Sequence, residues 1–292
     1  MKPAPFRYVK PRTLEEAVGI LAGADGDAKV LAGGQSLVPM LNMRLARPPL
    51  VVDVNGLPGL DAIRPTPDGG LIAGALVRHA DLVSSPLVWA RAPLLAEAAR
   101  HIGYPAIRNR GTLGGSLAHA DPAAELPAAV MALEADLTLV SAMGTRTLPA
   151  AAFFRGVLTT ALRPDELLTE VRIPAAGAAW GFGELARRPG DYALAGVAAV
   201  LRPAPGDRRR CAAARLVAFG VGHVPVRLQP AEASVTGALI DAGTSRRAGL
   251  AARHACEPPE DVHASAEYRR HLAAVLTEQV LLEAMTRLLG AC

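Results

Sequence analysis

The chain is 292 residues long, 51% hydrophobic, 20% charged and only 4% aromatic, with a formal net charge of +4. Its length suggests about two domains, and its apolar share supplies an aliphatic core and excludes an intrinsically disordered chain. Arg208-Arg209-Arg210 is the one basic run and has no aromatics interleaved, so it reads as a solvated hairpin tip, and no nucleic-acid partner is expected.

Met1 to Phe6 carries no apolar leader, and no run of about 18 apolar residues follows. No integral membrane span and a cytoplasmic location are therefore expected. Thr13-Leu14-Glu15-Glu16 spells a capping box, opening a helix to about Leu21 that Gly23 closes. Residues 28–32 read as a buried strand, 38–45 as a short helix stopped by Arg47-Pro48-Pro49, and 50–54 as a strand. Asn55 to Gly59 is a turn-rich hinge. A hairpin over 60–64 and 71–77 turns at Pro67-Asp68-Gly69-Gly70, and the apolar spacing over 86–102 predicts one helix. Asp121 as N-cap and Pro122 at the first helical position predict a helix over 122–132. A strand over 136–140, a turn at 142–144 and a strand over 167–173 complete this half. Pro174-Ala175-Ala176-Gly177 is the expected linker. Beyond it come strands over 180–185, 193–201 and 212–221, then helices over 245–255 and 267–289, the second long and amphipathic.

Two glycine segments carry the chemistry. Arg108-Asn109-Arg110-Gly111-Thr112-Leu113-Gly114-Gly115-Ser116 places three glycines and two hydroxyls between a basic stretch and a helix start. Glycine allows positive φ and close approach to a ligand, and successive N–H groups in such a turn form an anion-binding nest. Val30-Leu31-Ala32-Gly33-Gly34-Gln35-Ser36-Leu37 repeats that grammar after an apolar strand. Two nests could hold the two phosphates of one dinucleotide. Neither is a P-loop, and Gly220-Val221-Gly222 lacks the third glycine of a Rossmann fingerprint because Pro225 stands there.

Other candidates are weaker. Lys29 could reach a phosphate from the strand start or stand exposed. His119 reads as a local hydrogen-bonding residue, and His79, His101 and His223 lack ligand spacing. Cys211, Cys256 and Cys292 form no Cys-x-x-Cys pair, so no iron–sulfur cluster or structural zinc is expected in the chain. Their sparse, odd number fits a reducing compartment. No catalytic triad and no metal site stand out.

The two glycine segments, together with Arg188-Pro189-Gly190-Asp191-Tyr192-Ala193 and Asp261 to Arg269, resemble one family nearly end to end. It is the FAD-binding medium subunit of carbon monoxide dehydrogenase and related molybdenum hydroxylases, whose flavin domain is similar to that of xanthine dehydrogenase. The resemblance implies an α+β chain: a vanillyl-alcohol-oxidase-like (PCMH-type) FAD-binding domain over 1–175, with subdomains of about 1–57 and 58–175. A smaller C-terminal domain over 176–292, with a three-stranded sheet and helices, would follow. It implies that residues 30–37 and 112–116 hold the FAD pyrophosphate through backbone N–H groups, with Gly111 beside them. Glu125 would contact the flavin nucleotide, although a carboxylate in a helix first turn has an equal claim there. Tyr192 would lie at the isoalloxazine ring, and Ile102 and Leu168 near it. Phe182-Gly183-Glu184 has no lysine where xanthine dehydrogenases carry one, which speaks against NAD reduction; Gln35 replaces a histidine used for covalent attachment elsewhere, so FAD would be non-covalent.

The implied function is electron transfer, from 2Fe-2S clusters of a partner to FAD and on to an external acceptor. The implied partners are an iron–sulfur small subunit and a large subunit bearing the molybdopterin cofactor, in a dimer of heterotrimers. Such a task needs cofactor placement rather than an acid–base constellation. An autonomous flavin-dependent oxidoreductase of the same fold, or a non-enzymatic binding module with the nests as mere turns, remain as alternatives.

Overall fold

A computed structural model describes residues 2–175 and 179–290. The N-terminal part is a parallel sheet in the order Arg7–Val9, Leu50–Asp53, Ala28–Leu31. Its central strand, Leu-Val-Val-Asp, is buried throughout, as a strand covered on both faces must be. Thr13 caps the helix Leu14–Gly23 by accepting the Glu16 N–H, and that helix lays Ala17, Val18 and Leu21 on the sheet. The expected helix over 38–45 is shorter, Leu37–Asn42.

A five-stranded antiparallel sheet follows, in the order Ile63–Pro65, Leu71–Gly74, Leu167–Ile173, Asp136–Ser141, Gly144–Pro149. The strand Gly144–Pro149 was not expected from its sequence. It is a polar edge strand, with mostly exposed or half-buried positions, and therefore lacks an apolar pattern. Helices pack on the sheet. The single helix expected over 86–102 is two, Pro86–Arg91 and Pro93–His101, because Pro93 has no N–H to continue the first and Ala92 leaves helical φ and ψ. The helix expected from Pro122 begins three residues later, at Glu125–Ala132. Asp121 instead accepts the Ala123 N–H in a turn.

The C-terminal sheet has the order Ala179–Ala186, Ala193–Ala204, Asp207–Phe219, Val226–Arg227, all antiparallel. Its three long strands match the expectation, and Val226–Arg227 adds a two-residue edge. The helix Gln229–Val235 was also unexpected; Ala242–Ala255 and Ala266–Leu288 were expected. Period-2 alternation explains why the second strand is almost wholly apolar. Ala198 and Val200 join the core shared with the helices Pro93–His101 and Glu125–Ala132, while Val197, Ala199 and Leu201 face the C-terminal helices. The sheet is thus a middle layer, and it carries Glu184 and the Arg188–Tyr192 loop to the seam between the two halves. The linker residues Ala176 and Gly177, and Cys292, lie outside the described residues.

Candidate functional site

The two glycine segments meet. A Cβ on Gly33 would lie 2.4 Å from the Arg110 carbonyl oxygen and 2.8 Å from Gly111 Cα, so only glycine permits this approach. Gly34 follows with φ +75°, left-handed backbone that turns the chain into the helix at Leu37. Gly115 stands over Ala32, at 3.7 Å from a built Cβ to the alanine methyl.

Their amides differ. The N–H groups of Gly33, Gly34, Gln35, Ser36 and Leu37 have no acceptor among the described residues. In the second segment the N–H of Leu113 donates to Val77 (2.9 Å), that of Gly114 to Ala75 (2.8 Å), and that of Ser116 to the Thr112 carbonyl (3.0 Å). The Gly115 N–H donates to Thr112 Oγ1 at 3.1 Å. Of the amides expected to form the second nest, those of 113–116 are thus used within the protein, and the Thr112 N–H alone has no acceptor among the described residues. Thr112 is the N-cap of the helix Leu113–His119; its hydroxyl oxygen accepts the Gly115 N–H, which leaves its own O–H as a donor. The Ser116 hydroxyl, half-buried, is a further donor of this segment.

A partly buried polar network that sequence reasoning missed ties the two segments together. Asn55 Nδ2 donates to the Ala32 carbonyl (2.7 Å) and to Asp53 Oδ1 (2.7 Å). Asn55 Oδ1 accepts from Arg78 Nη2 at 2.8 Å, and Arg78 Nη1 donates to the Arg110 carbonyl. Tyr8 donates its hydroxyl to Asp53. Only the turn-forming Asn55 carried any sequence signal. Behind the second segment, His79 is buried with both ring nitrogens unpartnered, and its N–H donates to the Gly111 carbonyl at 3.0 Å. Desolvation, helped by the nearby Arg108 and Arg78, pushes its pKa down to about 4.

The remaining residues divide. Val30 and Leu31 belong to the edge strand below the first loop, and Lys29 beside them is exposed. Leu168 is buried in the core of the antiparallel sheet. Its neighbour Thr169 accepts the Ala75 N–H (2.8 Å), so this strand supports the second segment from beneath. Ile102 ends the helix Pro93–His101 beside Gly103, which touches Gly190 of the opposite half; a Cβ there would lie 3.0 Å from the Gly103 oxygen. This contact brings Ile102 and Tyr192 to one seam. Tyr192 is 70% exposed; partial desolvation first, then the charges of Asp121 and Glu125, raises its pKa. Glu125 is 9% exposed at the start of its helix. Desolvation first, then the charge of Glu184, pushes its pKa up to about 8.

His101, passed over for want of ligand spacing, is central to the seam. Its Nδ1 lies 3.3 Å from Glu184 Oε1 and its Nε2 3.4 Å from Glu97 Oε1. With a carboxylate on each nitrogen the ring is an imidazolium, and those hydrogen bonds raise its pKa to about 9. An open cleft of about 380 Å³ lies here, with Arg100, Tyr104, Arg108 and Gly190 on its walls.

The fold is that of a flavin-binding domain. Residues 4–176 match the FAD binding domain in molybdopterin dehydrogenase, and 180–284 match the CO dehydrogenase flavoprotein C-terminal domain. The chain belongs to this family of oxidoreductase flavoproteins. It is 42% identical to the 6-hydroxypseudooxynicotine dehydrogenase complex subunit alpha of Paenarthrobacter nicotinovorans, over 98% of this chain and 97% of that one. It is 38% identical to the carbon monoxide dehydrogenase medium chain of Hydrogenophaga pseudoflava, over 98% and 99%. Among solved structures it superposes on carbon monoxide dehydrogenase from H. pseudoflava with a TM-score of 0.94 at 39% identity, covering 98% of this chain and 99% of that one. Quinoline 2-oxidoreductase from Pseudomonas putida 86 gives 0.93 at 39%, with the same coverage. No helix among the described residues is long and apolar enough to cross a membrane, and no group of potential metal ligands occurs among them.

Proposed function

We propose that the chain is the FAD-carrying electron-transfer subunit of a molybdenum hydroxylase. In this reading it takes electrons from 2Fe-2S clusters of an iron–sulfur small subunit and passes them to an external acceptor. The hydroxylated substrate is chosen in a molybdenum-bearing large subunit, and the assembly is a dimer of heterotrimers in the cytoplasm. The observation that carries this reading is the row of acceptor-free amides from Gly33 to Leu37, set against the second glycine segment. A pyrophosphate is the anion that fits: it accepts several N–H bonds at once and neutralises a concentrated run of backbone dipoles. The related chains named as medium chains or subunits of dehydrogenase complexes support the partnered role.

Within that reading the residues have distinct tasks. The amides of 33–37 and the Ser116 hydroxyl hold the pyrophosphate. Asn55 and Arg78 fix the spacing of the two segments, so the amides are oriented before the ligand arrives. Val30, Leu31 and Ala32 set the loop on the parallel sheet, and Leu113, Gly114 and Gly115 form the helical floor opposite. Lys29 adds positive charge at the rim. Glu125, Ile102 and Tyr192 border the ring end at the seam, where Tyr192 shields one face from water, and Leu168 supports the floor. Bound there non-covalently, FAD supplies two-electron storage with one-electron entry and exit. The chain then divides at about 175–176, into a flavin domain with subdomains 1–57 and 58–175 and a C-terminal domain that closes the seam.

The test is the visible spectrum of the purified chain, with acid-released flavin identified by chromatography. Stoichiometric FAD, and copurification with iron–sulfur and molybdenum chains, is the expected outcome. Absence of flavin even after incubation with FAD and partners sinks the reading.

A further inference from the structure

The segment Asp261 to Arg269 reaches the strand that follows Tyr192. Asp261 Oδ1 accepts the N–H groups of His263 (2.9 Å) and Ala264 (3.0 Å), and Ser265 caps the helix Ala266–Leu288 by accepting the Tyr268 N–H. Arg269, in the opening turns of that helix, is only 5% exposed. Its Nη2 donates to Asp261 Oδ2 at 2.8 Å, and its Nη1 donates to the carbonyls of Leu194 (2.6 Å) and Gly220 (3.2 Å). A guanidinium stays charged when buried, and it is tolerated there only when paired and hydrogen-bonded. Two of its three acceptors are backbone carbonyls, so what Arg269 fixes is the main chain.

Those carbonyls stand at an irregularity of the C-terminal sheet. Leu185 pairs with Ala195 but Ala186 with Ala193, so Leu194 is the extra residue of a β-bulge. The bulge breaks the alternation of the strand: Ala193 joins the core that holds Ala198 and Val200, while Leu194 and Ala195 both join the core under the C-terminal helices. Without that extra residue, Ala193 would turn to the opposite face. Gly220, with φ +72°, backs onto the bulge; a Cβ there would lie 3.0 Å from the Leu194 oxygen and 3.1 Å from the Ala193 oxygen. The Gly220 N–H then crosses to the first half of the chain and donates to the Pro122 carbonyl at 2.8 Å.

We propose that Arg269 is a positioning residue for Tyr192: its guanidinium holds the bulge at Leu194 against Gly220, and so fixes where Tyr192 stands relative to the first half of the chain and the flavin ring bound there. This rests on the FAD reading above. Tyr192 directly precedes Ala193, and the other end of its loop is seated by the contact of Gly190 with Gly103. The loop is thus held at both ends, and Arg269 supplies the hold nearest the tyrosine.

FAD titration and the emission of the bound flavin, which a tyrosine held against the ring quenches, test this on the full chain. Arg269→Gln should bind FAD about tenfold more weakly, the scale of a lost charge-assisted hydrogen bond, and with brighter emission. Arg269→Lys keeps the charge but not the planar fork, and should fall between. In a Tyr192→Ala background, Arg269→Gln should add nothing further, because its effect passes through the tyrosine. Full additivity of the two changes overturns the proposal, as does Arg269→Gln with wild-type affinity and emission. Arg270→Gln is the control, since Arg270 donates to the Cys256 carbonyl instead; a loss there equal to that of Arg269→Gln would mark general loosening of the helix and overturn the proposal too. If Arg269→Gln does not fold, Asp261→Asn takes its place, keeping the acceptor of the turn and removing the charge that faces Arg269; unchanged affinity and emission in that variant overturn the proposal. If the wild type binds no FAD, the cofactor reading fails and the role toward the flavin fails with it. Hydrogen exchange of flavin-free protein reports the anchor separately: the Gly220 amide should exchange faster in Arg269→Gln, and an unchanged rate overturns the anchoring itself.

Discussion

The two glycine segments share a grammar in sequence and differ in what they do. The Gly33–Leu37 loop keeps its amides free, because it leaves an edge strand and enters its short helix through left-handed Gly34. The Leu113–Ser116 stretch spends its amides on Val77, Ala75 and the Thr112 cap. One segment is a donor surface, and the other is a wall that fixes its distance. Glycine is needed in the first for backbone conformation and contact, and in the second for close packing against Ala75. The lesson is that a glycine pair announces close approach but does not say whether a ligand or the protein itself is approached.

Substitution at Gly33 sharpens this contrast most. The Cβ of Gly33→Ala would drive the Arg110 carbonyl away, so a stability loss of about 1–3 kcal/mol and at least a tenfold fall in FAD affinity are expected by calorimetry and flavin titration. Gly115→Ala would press on Thr112 Oγ1 instead, 2.6 Å from the new methyl, and should weaken FAD only a few-fold. Equal effects of the two on flavin binding would break the distinction drawn here.

Acid should loosen the wall before the donor loop. The folded pKa of His79, about 4, lies below its ordinary value near 6.5. The native state therefore binds fewer protons than the unfolded chain between those values, and stability present above about 6.5 is lost as pH falls toward 4. The full loss is of order 3 kcal/mol. Hydrogen exchange at mildly acidic pH should show the amides of 111–116 opening first, and His79→Gln should flatten the pH dependence.

Arg78→Ala cuts the tie between Asn55 and the Arg110 carbonyl. Its expected cost is about 1 kcal/mol, from the lost hydrogen bonds to the half-buried Asn55 oxygen and the Arg110 carbonyl, with weaker FAD binding but an unchanged spectrum once flavin is loaded. Thr112→Ala is the smallest change. Loss of the cap should cost about 1 kcal/mol in thermal unfolding and leave flavin stoichiometry at one. A variant that folds normally but loses flavin would return Thr112 to the ligand.

At the seam the sequence was legible only in part. Tyr192 and Ile102 are expected there from the resemblance, and the structure shows a close approach of their chain neighbours Gly190 and Gly103. The His101 cluster was not expected, because Glu97 and His101 stand four apart on one helix while Glu184 arrives from a strand of the other half. Spacing rules see the first pair and are blind to the third member.

By itself, the sequence determined the strands with strict alternation, the capped helices, the two glycine segments and the family, because each rests on periodicity or on residues close along the chain. Pro93 should have divided the helix over 86–102 on local grounds alone; the polar strand at 144–149 carried no apolar signal to read. Only the tertiary structure decided which amides are free among the described residues, which arginine ties the loops and which two carboxylates flank His101. The reason is physical: hydrogen bonds and Coulomb interactions act over a few ångströms in space, and here their partners are separated by tens of residues in the chain.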